Sequence, residues 1–319
     1  GRGGGPTGPR SAPIRQVLRH RAQGRAHRIL PCIHSPQVAI FCHLRGMNAM
    51  TPAEFLHTHE VFRRSEFARA LNRSGKRASA TLTSHLQRWE RTRRVLRLRR
   101  GLYVRVSRDE SPGPVSLDPL VLASRLADDA VLAYHTALEA HGYAQSPFQR
   151  FTVATWSRAR PLKFQALTFV PVRPRAGVRR GSDVYTMRMD RAGSEVRVTT
   201  VERTVVDVLD RPDLAGGVEE VWRSCAHVEA LDYDALEDYA LRVGRRVVSA
   251  RLGFLLENHA ERWMVPQALL ERLRKRGPRA PVYLDPDRRR RGRFVSRWNL
   301  VVPPELLPQK EASDVEDSP

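Results

Sequence analysis

Arg88, Arg97, Arg99, Arg100 and Arg105 crowd one short stretch of a chain that has only four lysines. A guanidinium is planar and permanently charged, and it pairs with a phosphate or with the edge of guanine in a two-pronged fit. Arg77, Thr81, Ser84, Gln87 and Arg91 stand beside them and add lighter hydrogen-bonding groups of the kind that meet base edges and backbone oxygens. Hydrolytic chemistry has weaker support. Neither a G-x-S-x-G nucleophile turn nor a G-x-x-x-x-G-K-[ST] phosphate loop occurs. Cys32, His34, Cys42 and His43 lack the short repeated spacing of a zinc site, and His135 and His141 fall roughly opposite each other on a helix. Glu257, Asp285 and Asp287 are carboxylates without the acid-x-Lys arrangement of a metal-dependent nuclease. The residues name no catalytic group, metal or cofactor.

The elements that must position the arginines begin at Thr51-Pro52-Ala53-Glu54, a capping box with proline at the first helical position. A second short helix fits Ser65 to Leu71. Ser79 is expected to cap a third, in which Leu82, Leu86 and Trp89 form one apolar stripe. Thr81, Ser84, Gln87, Arg88 and Arg91 lie on its other side. VLRLRRGLYVRV, Val95 to Val106, then reads as a hairpin turning at Arg100-Gly101, with one apolar face and one arginine-rich face. Three helices and a basic hairpin make a winged helix-turn-helix. In that arrangement Arg88 takes a guanine edge, and Arg97, Arg99, Arg100 and Arg105 take phosphates or the adjacent minor groove.

The charge distribution agrees. The chain carries net +21, with eight arginines and no acid in residues 1–46. Residues 47–108 hold 15 Lys+Arg against four acids, whereas residues 109–319 hold 32 against 30. Such localisation points to an anionic partner such as nucleic acid. Three cysteines in no framework spacing fit a reducing cytoplasm, and no apolar run reaches membrane-spanning length.

The expected organisation is a disordered or spurious extension over 1–46, with a start at Met47 or Met50, then the winged helix over 47–106 and a polar linker over 107–117. A mixed, mainly helical region follows over 118–303, with an acidic disordered tail over 304–319. Within 118–303 one helix is expected from Val131 to His141, closed by Gly142. Strands are expected at FTVAT, KFQALTFV, DVYTMRM and EVRVTT, and mostly helix after Glu202. The run Asp287 to Arg293, DRRRRGR, reads as a solvated loop or as a second phosphate patch.

VTTVERTVVDVLDRPDLAGGVEEVWR, Val198 to Arg223, resembles the AbiEi-type antitoxins of type IV toxin–antitoxin systems, also described as regulators of viral (phage) defence. The carrying residues are Glu202, Arg203, Thr204, Asp207, Asp210, Arg211, Pro212, Leu214, Gly216 and Gly217. LAYHTALEAHG at 132–142, RLGFLLE at 251–257 and RRGLYV at 99–104 are similar to further signatures, and the likeness spans about residues 50–303. It implies an α+β protein with an N-terminal winged helix and a mixed α/β, mainly helical C-terminal antitoxin domain. It further implies a non-enzymatic transcriptional repressor that binds double-stranded DNA at its own promoter. Its functional partner would be a nucleotidyltransferase-like toxin, counteracted without a stable complex. A structural role for the motif stands beside this: Glu202, Arg203 and Asp207 form an ion-pair and capping set, and Gly216-Gly217 ends one helix and admits the next. The competing class is a winged-helix enzyme, most plausibly a nuclease.

Overall fold

The computed structural model describes residues 50–72, 75–106, 115–175, 184–285 and 292–307, without the side chains of residues 76–78. The extension over 1–46 lies outside them, as do most of the polar linker and of the 287–293 run.

The Thr51 hydroxyl accepts from the Glu54 amide and the Glu54 carboxylate accepts from the Thr51 amide, at 3.3 and 2.9 Å, and this reciprocal cap opens α1 (Pro52–Thr58). β1 (Val61–Arg63), α2 (Arg64–Ala70) and α3 (Lys76–Arg91) follow. α3 starts before Ser79, which is therefore not its cap; Gly75 is. Ser79 is used from inside the helix, its hydroxyl and carbonyl accepting from Arg64 at 2.9 and 3.0 Å. Leu82, Leu86 and Trp89 are buried with Phe55, Phe62 and Phe67 in one core.

β2 (Val95–Arg99) and β3 (Leu102–Arg105) form the hairpin, and β1 pairs on the far side of β3, giving an antiparallel sheet in the order β1-β3-β2. The one-sided reading of this hairpin is corrected here. Successive side chains of a strand point to opposite faces, and both faces of β3 are covered. Tyr103 joins the helix core, whereas Leu102 and Val104, with Val61, join a second core containing Leu120, Leu122, Phe151 and Phe169. A bulge between Arg97 and Arg99 breaks the alternation of β2; Leu98 is half-buried against the second core, and Leu96, on this edge strand, is exposed.

That second core belongs to the region after the expected linker. Residues 107–117 therefore separate elements that share a core, and the packing runs as one unit from Ala49 onward. Ion pairs reinforce the junction: Arg63 with Asp128 at 3.1 Å and Arg125 with Glu66 at 2.8 Å.

Asp118 caps α4 (Pro119–Ser124), accepting from the Leu120 amide at 2.8 Å. The expected helix over 131–141 is instead β4 (Val131–Leu132) followed by α5 (His135–Ala140). Leu132 is claimed by a sheet, pairing with Val153 of β5 (Arg150–Ala154) and Val198 of β9 (Ser194–Thr199). With β6 (Leu162–Phe164), β7 (Leu167–Val172) and β8 (Thr186–Arg191), these make a mixed six-stranded sheet in the order β6-β7-β5-β4-β9-β8.

Helices then predominate: α6 (Val201–Asp210), α7 (Val218–Cys225), α8 (Tyr233–Val243), α9 (Arg246–Asn258), α10 (Ala260–Trp263) and α11 (Gln267–Arg276). They pack around Val206, Leu236, Leu252, Leu255 and Trp298. Gly253 of α9 lies against the Trp298 ring, where a Cβ would come within 2.0 Å of ring carbon. A small sheet closes the chain: β10 (Val282–Tyr283) parallel and β11 (Arg293–Val295) antiparallel to β12 (Leu300–Val302). Leu306 and Leu307, within the span expected to be a tail, pack against the main core, and residues 308–319 lie outside the described residues.

Candidate nucleic-acid interface and the buried polar junction

The exposed side of α3 carries Ser84, Gln87, Arg88 and Arg91, with Thr81 half-buried beside them, as the helical spacing requires. Arg77 lies in α3, and its side chain is outside the described residues. Arg97 and Arg100 are exposed on the hairpin. With Arg64, Gln87, Glu90 and Tyr103 they line a groove of about 760 Å³ between α3 and the hairpin.

Arg99 and Arg105 stand elsewhere. The Arg99 guanidinium donates to the carbonyls of Leu126 and, at 2.9 Å, of Arg160, and burial together with the nearby Arg63 charge lowers its pKa. Arg105 donates to the carbonyls of Leu56 and His57. Both Nη groups of Arg99 and one of Arg105 are thus engaged by backbone carbonyls of the protein, where outward phosphate ligands were expected. Arg64, which the sequence did not single out, lines the same groove and ties α2 to α3 through Ser79 and through the Thr83 hydroxyl at 3.0 Å. Beyond the hairpin turn, Arg100 also lines a second cleft of about 470 Å³ with Arg63, Arg158 and Arg160. The loop carrying Arg158 and Arg160 was not singled out by sequence, because neither arginine belongs to a helix or hairpin pattern.

The residues of the 198–223 segment meet at a buried junction. Thr200, directly after β9, caps α6, and the Thr204 hydroxyl bonds the Thr199 hydroxyl at 2.6 Å and donates to the Thr200 carbonyl at 2.7 Å. Arg203 Nε lies 3.3 Å from Asp207 Oδ2, while Tyr239 donates to Asp207 Oδ1 at 2.8 Å. The Arg203 guanidinium sits over the Tyr239 ring, 5.5 Å from its centre. Burial dominates here: it raises the Asp207 pKa against the pull of Arg203 and Tyr239, and it raises the Tyr239 phenol as well. Asp210, on the next turn but outside this pair, receives Arg175 and Arg245, each at 2.5 Å. Glu202 is apart from the cluster and accepts from the Asp232 amide at 3.2 Å.

Arg211 reaches over the ring of Tyr134, whose phenol burial pushes up to about 12. Tyr134 itself turns the chain at φ +58°, a conformation that bulky side chains rarely adopt. Pro212 starts a single 3-10 turn, and Gly217 at φ +93° is the N-cap of α7. Gly216 has no room for a Cβ, which would lie 2.4 Å from the Phe148 ring. On α7, the buried Glu220 accepts from the Gln145 and Ser146 amides and from the Ser146 and Ser224 hydroxyls. His135 approaches the same carboxylate at 3.5 Å and stacks on Phe148; burial lowers its pKa. His141 is engaged separately, against the Thr199 carbonyl at 2.7 Å. Tyr134, Arg175, Tyr239 and Arg245 escape sequence reasoning because each meets the motif from a distant position, and Glu220, inside the segment, escapes it because its partners Gln145 and Ser146 are distant.

Both oxygens of Asp207 and of Asp210 therefore have cationic or phenolic partners, the arrangement of a packed junction. Glu257 is likewise engaged, accepting from the Trp298 indole at 2.5 Å and pairing with Arg297. Among the described residues, no group of three or more His, Cys, Asp or Glu is set to hold a metal ion.

Residues 129–258, from β4 through α9, match the family described as the AbiEi antitoxin C-terminal domain. The chain carries an AbiEi antitoxin domain. The polar junction lies inside this AbiEi domain, whereas α1–α3, the hairpin, α10, α11 and the small sheet lie outside the matched span. No curated protein gives a significant match. Among solved structures, the chain resembles the RV2827C protein from Mycobacterium tuberculosis, with a TM-score of 0.54 and 16% identity over 85% of this chain and 98% of that one. That likeness is one of fold. Among the described residues, no helix is long and apolar enough to cross a membrane.

Proposed function

We propose that the protein is an antitoxin that binds double-stranded DNA at its own promoter and represses its operon. The AbiEi domain supports an antitoxin role within a toxin–antitoxin system. The DNA reading rests on one observation above all: α3 buries Leu82, Leu86 and Trp89 and offers Ser84, Gln87, Arg88 and Arg91 to solvent beside Arg97 and Arg100. Together with α1, α2 and the β1-β3-β2 sheet, this supports the reading of a winged helix-turn-helix, in which α3 would enter the major groove. Arg88 takes a guanine edge there, Gln87 and Ser84 make lighter contacts, and Arg97 and Arg100 grip phosphates. Arg158 and Arg160 continue the basic face past the hairpin turn. In this reading the AbiEi domain counteracts a nucleotidyltransferase-like toxin in the cytoplasm, without forming a stable complex with it, and the protein needs no cofactor.

The test is affinity for operator and scrambled duplexes across a salt series. Arg88→Ala should relax preference at one operator position. Arg97→Ala with Arg100→Ala should weaken both duplexes together and reduce the log–log salt slope by about 0.9 per lost contact. An unchanged slope would remove the hairpin from the interface. Metal-dependent cleavage of the duplex by purified protein would favour the nuclease reading instead.

A further inference from the structure

The cleft of about 470 Å³ between the hairpin turn and the loop after β5 is lined by Arg63, Arg99, Arg100, Arg158 and Arg160 against a single carboxylate, Asp128, a surplus of four positive charges. That carboxylate is already engaged, by Arg63 Nε at 3.1 Å and by the Ser65 hydroxyl at 3.3 Å. Arg99 is engaged as well, on the carbonyls of Leu126 and Arg160, and burial, followed by the Arg63 charge, lowers its pKa. The other three are free. The guanidiniums of Arg100, Arg158 and Arg160 are exposed and make no hydrogen bond or ion pair among the described residues. Arg63 adds a donor that the fold leaves unused, since its Nη1 is buried without a hydrogen-bond partner.

The walls of the cleft are fixed by contacts of their own. Asp129 holds the loop after β5, accepting from the Thr155 hydroxyl and from the Trp156 and Ser157 amides at 2.5, 2.9 and 3.2 Å. Arg99 ties the hairpin both to that loop and to the segment after α4. A recess lined by one sign of charge concentrates the opposite sign within it. Its volume falls in the range of small-molecule sites, about 300–1,000 Å³. A terminal phosphate carries about 1.5–2 negative charges and three acceptor oxygens, so two or three linked phosphates balance the surplus. Duplex DNA instead spreads single charges along a rod, and a carboxylate peptide brings only one charge per side chain.

We infer that this cleft binds a compact polyphosphate, two or three linked phosphate groups held by the guanidiniums of Arg100, Arg158 and Arg160 in the field of Arg63 and Arg99. Arg158 and Arg160 lie within the span matched to the antitoxin domain and Arg100 lies outside it, so the ligand touches both sides of the shared core. The charge and the free donors of the cleft carry this site whether or not α3 reads a duplex.

The experiment is isothermal titration calorimetry of full-length protein with tripolyphosphate, orthophosphate and ATP at matched ionic strength. Tripolyphosphate should bind one-to-one, and orthophosphate at least about tenfold more weakly, since it reaches fewer guanidiniums. ATP separates two sources of the same group: tighter binding than tripolyphosphate assigns the tail of a nucleotide, and equal or weaker binding a free chain. Arg158→Ala with Arg160→Ala should weaken tripolyphosphate at least about tenfold. The thermal midpoint of the free protein should not change, because both side chains are exposed and unbonded. Arg88→Ala with Arg97→Ala, on the α3 side, should leave tripolyphosphate affinity as it is in wild type. Arg100 is kept in both variants because it also lines the groove beside α3. Absence of tripolyphosphate binding, or equal affinity in wild type and the Arg158, Arg160 double variant, would overturn the inference. If wild type bound no tripolyphosphate and that double variant lost operator affinity, the cleft would belong to the duplex surface instead.

Discussion

Replacing Arg203 by methionine tests whether the most distinctive residues of the antitoxin domain act as structure. Arg203 is 3% exposed and Asp207 4%, and the pair is completed by the Tyr239 hydroxyl at 2.8 Å. Methionine keeps much of the side-chain volume and leaves a buried carboxylate with one neutral donor. Removing one member of a buried pair costs about 3–5 kcal/mol. Burial already raises the Asp207 pKa, and Arg203 is the largest influence opposing it. Without Arg203 the folded-state pKa rises further above the unfolded value, so folding then takes up a proton. The variant's deficit should therefore be largest near pH 7 and shrink toward pH 5, where Asp207 is neutral at lower cost. Asp207→Asn in the same background should recover more than half of the loss, because the amide oxygen still accepts from Tyr239. Urea unfolding followed by tryptophan fluorescence at both pH values measures all of this. A deficit below about 1 kcal/mol at pH 7, with toxin neutralisation lost, would refute the structural assignment and make the pair a functional surface.

Gly253→Ala should destabilise by about 1–3 kcal/mol in the same assay, because its methyl group meets the Trp298 ring; Gly253→Ala with Trp298→Leu should relieve the clash. The thermal midpoint should fall as pH drops below about 6.5, since burial lowers the pKa of His59, His135 and His259 and the unfolded chain takes up those protons first. His135→Phe should flatten the part of that slope due to its own imidazole, as read by calorimetry across pH. The Cys225 thiol, which burial pushes up to about 12, should react with a thiol reagent only on unfolding, and prompt labelling of native protein at this residue would contradict its burial.

Local chemistry was legible where a short window contains the whole cause. The Thr51 cap and the Leu82, Leu86, Trp89 stripe depend on residues within two helical turns, and both were readable. The hairpin was read as half-open because Tyr103 and the arginines alternate with aliphatic residues. Nothing in that window announces that Leu120 and Phe151 will cover its second face. Arg99 illustrates the same limit: its acceptors, on Leu126 and Arg160, are contributed by segments that sequence distance hides. Val131 and Leu132 were read as helix because a two-residue strand has no period of its own and is defined by Val153 and Val198. At the polar junction, Arg203 and Asp207 could be paired from i,i+4 spacing. Tyr239, 32 residues further on, could not.

The double coverage of β3 also bears on how such proteins can be recombined. A fusion cut at residues 107–117 looks convenient, yet it would strand Val61, Leu102 and Val104 in water on one side and strip Leu120 and Leu122 of their neighbours on the other. A graft that changes the outward residues of α3 must therefore leave the hairpin in place. Exchange of the antitoxin half must carry its matching sheet with it, so α1–α3 with their sheet and the domain behind them are inherited as a pair.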